Sequence, residues 1–378
     1  MEDIKMVDLK AQYGKLKPEL DAAFSAVMES MEFINGPQVA SFARSLEQYL
    51  QVRRAIPCAN GTDALQIALM ALQLPAGAEV IVPSFNYVSG AEVVALLGLK
   101  PVFADVLPDT YTIDPASVKK VITAATAAII PVHLFGQSAP MHEIMELAHE
   151  HQLWVIEDNA QALGAVYVFP DGHEVKAGTI GHLGTTSFFP SKPLGGMGDG
   201  GAVFTNDDKL AAITQKIANH GQAEKYKFST IGVNSRLDTL QAAMLDVKIK
   251  YVDEYNTARQ EIARFYDNAF AETPLVQAPH RATYSSHVYH QYTVTVAPEL
   301  RDALKEHLRD NHIPSMVYYP EPLHLQEAYA YLGNKEGAYP VSELLSKSVL
   351  SLPMHSELKE EQLVYICQHV LAFVKKHG

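Results

Sequence analysis

Short apolar runs alternate with longer amphipathic stretches over residues 60–220 of the chain. The apolar runs predict buried strands at five places, namely 80–82, 102–104, 128–130, 154–156 and 201–205. The intervening stretches predict helices that begin at Thr62, Ser89, Asp114-Pro115, Met141 and Asp207, the last of which ends at the glycine stop His220-Gly221. Because strands alternate with helices, we expect an α/β fold with a mostly parallel central sheet and helices on both faces.

The two ends of the chain have a different pattern. Residues up to Leu50 are amphipathic at helical spacing, with a turn at Asn35-Gly36-Pro37. Residues 237–270 predict one long helix that leads into a mixed C-terminal part. That part predicts strands at 292–296 and 316–318, a helix after Pro298 and a closing helix from Lys359. We therefore expect a large domain over residues 1–250, including the N-terminal helices, and a smaller α+β domain over residues 251–378.

Composition and charge exclude several functional classes. The 378 residues are 48% hydrophobic, which is enough for a large core. A formal charge of −13 argues against nucleic acid as a partner. The two cysteines, Cys58 and Cys367, provide neither a disulfide framework nor metal-ligand spacing. The sequence has no secretory pattern and no apolar run of membrane length, so we expect a cytoplasmic protein without a membrane partner.

Two patterns resemble binding motifs but lack the context that such motifs need. Residues 196–201 satisfy G-x-G-x-x-G, but a predicted strand follows them, whereas a dinucleotide site needs a following helix. His142, Glu146 and His149 recur at helical spacing without the H-E-x-x-H arrangement, so a solvated helix face is favoured and no metal site is predicted. Residues 169–173 predict the tip of a hairpin and have no assigned role.

The segment 187–195 carries the most informative chemistry, because it places Lys192 between two phenylalanines and a glycine run. An apolar wall removes water from the ammonium group and lowers its pKa, which leaves a usable amine at neutral pH. Such an amine can form a Schiff base with an aldehyde cofactor. The alternative is a surface lysine in a turn, the usual setting of a lysine near proline and glycine.

Two further segments favour a cofactor site. The apolar run at 154–156 predicts a strand that leads to Asp158, and the C-terminal ends of parallel strands face the ligand crevice of α/β folds. A carboxylate there can keep a pyridine nitrogen protonated, as a pyridoxal 5′-phosphate (PLP) enzyme requires. Gly61-Thr62 opens an apolar helix, and a helix N-terminus is a suitable phosphate site.

These three segments, in this order, resemble those of the DegT/DnrJ/EryC1/StrS family of sugar aminotransferases, and the resemblance extends from Val7 to His355. It implies the fold-type I architecture of PLP-dependent transferases, with residues 1–250 as the PLP-binding domain. It also implies that Lys192 forms the Schiff base and acts as general acid and base, while Asp158 pairs with the pyridinium nitrogen. It further implies that Gly61, Thr62 and Ser187 bind the cofactor phosphate, that Gln161 contacts the ring hydroxyl, and that Tyr87 stacks on the ring face. Asn234 is implied to contact the phosphate of the cofactor in the other subunit.

The same resemblance implies L-glutamate as amino donor, a nucleotide-linked keto-sugar as acceptor, and a homodimer with shared active sites. The substrate contacts that it implies are Arg236, whose planar fork suits an anionic group, and the residues Tyr318, Tyr319 and His324 in the segment expected to line the sugar pocket. The first choice of sugar is the 3-keto position of UDP-2-acetamido-2-deoxy-hexuronate, for cell-surface polysaccharide or lipopolysaccharide biosynthesis.

Three alternatives remain open at this point. Two are other sugars, namely a dTDP-3-keto-6-deoxyhexose and a nucleotide 4-keto-sugar aminated at carbon 4. The third is a non-catalytic regulator, against which the intact Lys192, Asp158 and Gln161 argue. For the first-choice sugar we expect a histidine immediately before a Tyr-Pro pair, whereas Tyr318 occupies that position here, so the identity of the sugar stays open.

Overall fold

The computed structural model of the protein describes residues 3–377. Its strands are β1 (Arg54–Cys58), β2 (Glu79–Pro83), β3 (Lys100–Ala104), β4 (Thr126–Ile129), β5 (Trp154–Asp158), β6 (Val166–Val168), β7 (Glu174–Lys176), β8 (Leu183–Ser187), β9 (Gly201–Thr205), β10 (Gln222–Glu224), β11 (Lys227–Phe228), β12 (Val276–Gln277), β13 (Tyr292–Val296) and β14 (Val349–Leu352). Seven of them form the central sheet, in the order β1-β9-β8-β5-β4-β2-β3. Only β9 runs antiparallel to its neighbours in this sheet, so the predicted mostly parallel sheet is confirmed.

Helices cover this sheet and pack their apolar faces against it. The helices are α1 (Leu9–Ser30), α2 (Pro37–Leu50), α3 (Gly61–Ala71), α4 (Ser89–Leu96), α5 (Pro115–Val121), α6 (Met141–His151), α7 (Asp208–Ala218), α8 (Thr239–Lys248), α9 (Val252–Phe270), α10 (Pro298–Asp310), α11 (Pro340–Ser348) and α12 (Glu360–His377). Short 3-10 helices lie at Leu134–Gly136, Ile249–Tyr251, Leu323–Leu325 and Glu327–Leu332. One apolar core joins α3 and α4 to β2 and β9, which fixes the N-terminus of α3 beside the sheet.

A second core lies in the C-terminal part of the chain. The antiparallel sheet β12-β13-β14 packs there with α9, α10 and α12. Ile262 and Tyr266 of α9, Leu308 of α10 and Ile366 of α12 are among its buried members. The mixed helix and strand content agrees with the expected α+β character, while the division at residues 250 and 251 stays a prediction.

The structure corrects two of the predicted elements and adds a central strand. The long helix over 237–270 is wrong, because a 3-10 turn at Ile249–Tyr251 separates α8 from α9. The predicted strand at 316–318 is reduced to a single bridge between Met316 and Ser351. Central strand β8 was not predicted, because its sequence Leu-Gly-Thr-Thr-Ser is mostly small and polar. A side chain at Gly184 in this strand would collide with the Gly178 carbonyl oxygen and the Phe204 ring.

Candidate active site

A cavity of about 670 Å³ lies at the C-terminal ends of the parallel strands. Its wall comes from the start of α3, the loops that follow β2, β4, β5 and β8, and two segments of the C-terminal part, 290–291 and 318–319. This edge of the sheet is where open α/β folds bind their ligands, because the loops of successive parallel strands meet there. Of the residues predicted from the sequence, the cavity is lined by Gly61, Thr62, Tyr87, Asp158, Gln161, Ser187, Lys192, Tyr318 and Tyr319.

Lys192 lies in the loop that follows β8. Hydrogen bonds from the Lys192 amide to the Phe189 carbonyl (2.8 Å) and from the Gly196 amide to the Phe188 carbonyl (2.7 Å) fold this loop back on itself. Burial lowers the pKa of the Lys192 ammonium, while the nearby Asp158 carboxylate acts in the opposite direction. The amine is therefore more readily available as a nucleophile and base than an exposed lysine would be.

Asp158 ends β5 and is buried. Burial raises the pKa of its carboxyl group, while the Ala160 amide, which donates a hydrogen bond to Oδ1 (3.1 Å), and the charges of Lys192 and His133 act to lower it. A buried carboxylate that faces a cation gains most when a positively charged group binds beside it. The arrangement suits a ligand that carries a protonated ring nitrogen.

The start of α3 and the end of β8 form a narrow cradle. Asn60 caps the helix, because its side chain accepts a hydrogen bond from the Asp63 amide (2.8 Å). A Cβ atom at Gly61 would lie 2.6 Å from the Ser187 Cβ, so only glycine permits this close approach. The Thr62 hydroxyl lies 3.1 Å from the Ser89 hydroxyl. Backbone N–H groups and hydroxyls thus converge at a helix N-terminus, which is a suitable site for a phosphate group.

Two tyrosines, Tyr87 and Tyr319, also line the cavity. Tyr87 is exposed, and its ring centroid lies 6.2 Å from that of Tyr319. The Gln161 amide nitrogen donates to the Tyr319 hydroxyl (3.2 Å), and the Gln161 amide oxygen accepts from the Phe135 amide (2.8 Å). Gln161 is therefore held in the wall of the cavity, and its predicted contact with a ring hydroxyl stays a prediction.

Three predicted residues lie outside the cavity of their own chain. Asn234 is exposed, and Arg236 donates to the Asn219 side chain (3.4 Å) in a separate surface groove. His324 is buried in the interior, where Nδ1 lies 2.7 Å from the Ser84 hydroxyl and Nε2 lies 3.0 Å from the Glu343 carboxylate. Both ring nitrogens are thus occupied. The predicted direct contact of His324 with the substrate is therefore corrected: the residue lies behind the cavity wall.

The cavity also contains polar residues that sequence reasoning missed. Asn86 and His290 line it, and both are buried. Asn86 stands beside Tyr87, so the same segment of sequence offered a signal for it. His290 enters from the distant 290–291 segment, which approaches because Gly136 has φ +114° and no side chain in the way. Burial, followed by the charge of Lys192, holds the pKa of His290 well below its usual value.

The chain is similar to known proteins over almost its whole length. The DegT/DnrJ/EryC1/StrS aminotransferase family matches residues 15–371. Three relatives illustrate the range of functions within this similarity. A pleiotropic regulatory protein of Geobacillus stearothermophilus is 44% identical, covering 99% of both chains. The UDP-2-acetamido-2-deoxy-3-oxo-D-glucuronate aminotransferase of Pseudomonas aeruginosa is 42% identical, covering 96% of this chain and 98% of the relative. The dTDP-3-amino-3,4,6-trideoxy-alpha-D-glucose transaminase of Streptomyces venezuelae is 38% identical, covering 99% and 97%.

Solved structures agree with this relationship. S. venezuelae DesV, solved in complex with a ketimine intermediate, has a TM-score of 0.94 at 37% identity and covers 99% of both chains. NtdA of Bacillus subtilis, solved with the bound cofactor PMP, has a TM-score of 0.89 at 29% identity and covers 96% of this chain and 82% of its own. A sheet of this topology, with a lysine and a carboxylate in one cavity at its strand ends, defines a PLP-dependent transferase of fold type I. The chain belongs to the DegT/DnrJ/EryC1/StrS aminotransferase family and is a PLP-dependent sugar aminotransferase.

The residues of the cavity fit PLP. A Cβ atom on residue 61 would fill the cradle between Gly61 and Ser187. The cradle therefore has room for phosphate oxygens only because residue 61 is glycine. Lys192 supplies an amine whose pKa is lowered, and Asp158 supplies a buried carboxylate within its electrostatic reach. Among residues 3–377, no helix is both long and apolar enough to cross a bilayer.

Proposed function

We propose that the enzyme transfers the amino group of L-glutamate to the 3-keto position of UDP-2-acetamido-2-deoxy-hexuronate, for cell-surface polysaccharide or lipopolysaccharide biosynthesis. The observation that carries this choice is the 42% identity, over 96% of the chain, with a P. aeruginosa enzyme named for a 3-oxo-glucuronate sugar. Position 3 gains support from the S. venezuelae relative, which is named for a sugar with a 3-amino group. A cytoplasmic location stays a prediction.

The cavity provides the groups that this reaction requires. When bound, PLP supplies the electron-accepting ring and the carbon that carries the amino group. Lys192 Nζ takes the proton from the α-carbon of glutamate in the first half-reaction. In the second half-reaction it delivers a proton to the sugar carbon that had carried the ketone. Asp158 keeps the ring nitrogen protonated throughout, and Tyr87 and Tyr319 supply aromatic surface to the wall of the cavity.

The anionic substrate is bound by local cations, because the chain as a whole is acidic. Arg236 lies in a surface groove that also contains Arg44, Arg54 and Lys216, away from the cavity of its own chain. Exposed Asn234 precedes it. We place both residues at the active site of a second subunit in a homodimer, where Asn234 contacts the cofactor phosphate and Arg236 the substrate anion.

A second candidate acceptor is a dTDP-3-keto-6-deoxyhexose, which is favoured by the similarity to the S. venezuelae transaminase. This sugar has no carboxylate, and Tyr318 in the cavity wall replaces the histidine expected for the uronate. Amination at carbon 4 has less support, since the P. aeruginosa and S. venezuelae relatives are both named for a sugar that carries the oxo or amino group at carbon 3. The regulatory relative does not favour a non-catalytic role, because Lys192 and Asp158 line one cavity here and interact electrostatically.

The decisive experiment follows the two half-reactions by absorbance. L-Glutamate is expected to bleach the yellow cofactor of the purified enzyme, and after its removal the UDP-3-keto-hexuronate is expected to restore the colour. Restoration only by a dTDP-3-keto-6-deoxyhexose would replace the proposed acceptor. Failure of glutamate to bleach the cofactor, while another amino acid does so, would replace the proposed donor. Lys192→Ala is the matched control and is expected to bleach with neither.

A further inference from the structure

Arg259 is a buried cation that the proposed mechanism does not use. It lies in α9 and is only 3% exposed. Its Nε and Nη1 atoms have no hydrogen-bond partner among the described residues. Burial lowers the pKa of the guanidinium to about 10, while Tyr255 and the Glu357 carboxylate act to raise it. A buried guanidinium with two unmade hydrogen bonds is costly, so a partner at this place is expected.

A small void adjoins Arg259 beneath the lysine loop. It has a volume of about 10 Å³ and is lined by Ser191, Lys192, Arg259, His355 and Glu357, together with the N-terminal segment 7–12. A void of about this volume holds one water molecule. It shares Ser191 and Lys192 with the active-site cavity, so it lies on the other side of the same loop.

A third unpaired atom lines the void. His355 is 5% exposed, and its Nε2 has no hydrogen-bond partner among the described residues. Its Nδ1 accepts from the Glu357 amide (3.3 Å), so the ring proton is on Nε2. Arg259 and His355 therefore both border this small space with unpaired N–H groups. A water oxygen there can accept one hydrogen bond from Arg259 and one from His355, which uses both of its lone pairs.

The charge of Glu357 decides between water and an anion. Its carboxylate is nearly buried, contacts Lys15 at 2.6 Å, and interacts electrostatically with both Arg259 and His355. A halide beside this carboxylate would be repelled, whereas water can accept from Arg259 and donate to Glu357. We propose that one buried water molecule bridges Arg259, His355 and Glu357 and holds the Lys192 loop in place.

This water would connect parts of the chain that are distant in sequence. Arg259 belongs to α9, His355 and Glu357 follow β14, and Lys192 follows β8 of the central sheet. The bridge thus joins the C-terminal part to the loop that carries the reactive amine. Arg259 is a positioning residue in this arrangement, since it acts on the reaction through the place of Lys192.

A crystal structure of the holoenzyme from crystals soaked in bromide tests the site directly. We expect a solvent peak within hydrogen-bond distance of Arg259 Nε or Nη1 and of the Glu357 carboxylate, without anomalous signal at the bromide edge. A bromide peak would replace the water with a halide site. A direct contact between Arg259 and Glu357, with no solvent peak, would overturn the proposal.

Arg259→Lys tests the positioning role, with Arg264→Lys as the matched control on the exposed face of the same helix. The lysine keeps the charge but lacks the planar guanidinium that fixes the directions of its N–H donors. We expect a several-fold weaker affinity for PLP, measured by fluorescence well below the melting temperature, and no change in the control. A lower melting temperature with unchanged PLP affinity would mean that Arg259 is merely structural. If Arg259→Lys does not fold, His355→Leu against His355→Gln gives the same comparison, since glutamine retains an N–H donor.

Discussion

Asp158 combines burial with a charge that the reaction needs. Its substitution by asparagine keeps the size of the side chain and removes the negative charge opposite Lys192. We expect kcat to fall by roughly 10²–10³-fold, the effect of removing one preorganised electrostatic partner, while PLP still binds. Single-turnover absorbance with glutamate measures this, and exposed Asp208→Asn on α7 is the control. A rate for Asp158→Asn close to that of the wild type would contradict the role.

Among single residues, the sequence predicts those whose position depends on their immediate neighbours in the chain. Lys192 lies in a loop, Asp158 ends a strand and Gly61 begins a helix. The neighbouring residues in the sequence predict each of these positions. The neighbours of His290 do not predict its place in the cavity, because a contact with the distant Gly136 brings it there. The substrate contact predicted for His324 fails because closeness in sequence does not give closeness to the cavity. His324 lies only five residues beyond Tyr319, but behind the cavity wall.

Among the elements, the N-terminus of α3 depends on one missing side chain. Gly61→Ala would bring a Cβ atom within 2.6 Å of the Ser187 Cβ, so the helix start and the end of β8 must separate. We expect a large loss of PLP affinity with a folded protein, as measured by fluorescence titration and thermal melting. Gly14→Ala in α1 is the control, because nothing lies within 4 Å of its Cβ position, and helix propensity favours alanine there by up to about 1 kcal/mol. Equal PLP affinity in the two variants would remove the phosphate cradle from the site.

A connection behind the cavity joins two segments of its wall. Ser84 precedes the loop of Tyr87, His324 follows the segment of Tyr319, and their side chains meet at 2.7 Å. His324→Ala would leave Ser84 and Glu343 without their shared partner, at a cost of about 1–3 kcal/mol. We expect a lower melting temperature and a KM for the keto-sugar that rises more than kcat falls. His142→Ala on the exposed face of α6 is the control. Steady-state kinetics with an unchanged KM would limit His324 to a structural role.

The elements that the sequence predicts are those with a clear apolar period. Strands β2, β3, β5 and β9 are such runs, and all are found. Strand β8 is buried without being apolar, because the close approach of Gly178 and Phe204 to Gly184 leaves space only for small residues. The sequence also does not predict the break between α8 and α9 at Ile249–Tyr251, since the helical spacing of apolar residues continues across it. In both places tertiary packing decides the outcome and local pattern does not.

For the whole molecule, buried neutral histidines make stability depend on pH. Burial, followed by the charge of Arg281, lowers the pKa of His287 to about 3, and burial lowers that of His355 to about 4. Below about pH 6.5 the unfolded chain binds protons at these positions and the folded chain does not. The free energy of unfolding therefore falls as the pH drops from about 6.5 towards 4, by at most about 1.4 kcal/mol per unit for each histidine. The raised pKa of Asp158 acts with the opposite sign.

Melting temperatures measured between about pH 7 and pH 5 test this dependence. His287→Asn keeps an acceptor for the Tyr289 amide and removes the titrating group, so its curve should be flatter than that of the wild type. His173→Asn at the exposed hairpin tip is the control and should leave the slope unchanged. Parallel curves for all three proteins would show that other groups govern the acid sensitivity.

The proposed sharing of active sites between two subunits concerns the whole molecule. Exposed apolar residues flank the segment of Asn234 and Arg236, with Ile231 82% exposed and Phe228 61% exposed, and Ile34 approaches the same segment through its bridge to Asp238. The proposed symmetric dimer would cover this face and bring Asn234 to the cavity of the partner. Asn234→Asp should then repel the phosphate of the partner's cofactor and leave its own Lys192 intact.

Mixing inactive Lys192→Ala subunits with Asn234→Asp subunits separates the two possibilities. If Asn234 acts across the dimer, each hybrid has one fully intact site, and random pairing should restore about a quarter of the wild-type activity. If Asn234 acts within its own chain, every site in the hybrid is damaged, and no activity returns. Two affinity tags isolate the hybrid, and native mass spectrometry confirms its composition. An inactive hybrid of confirmed composition would therefore place the whole site within one chain, with Arg236 left to a role on the surface.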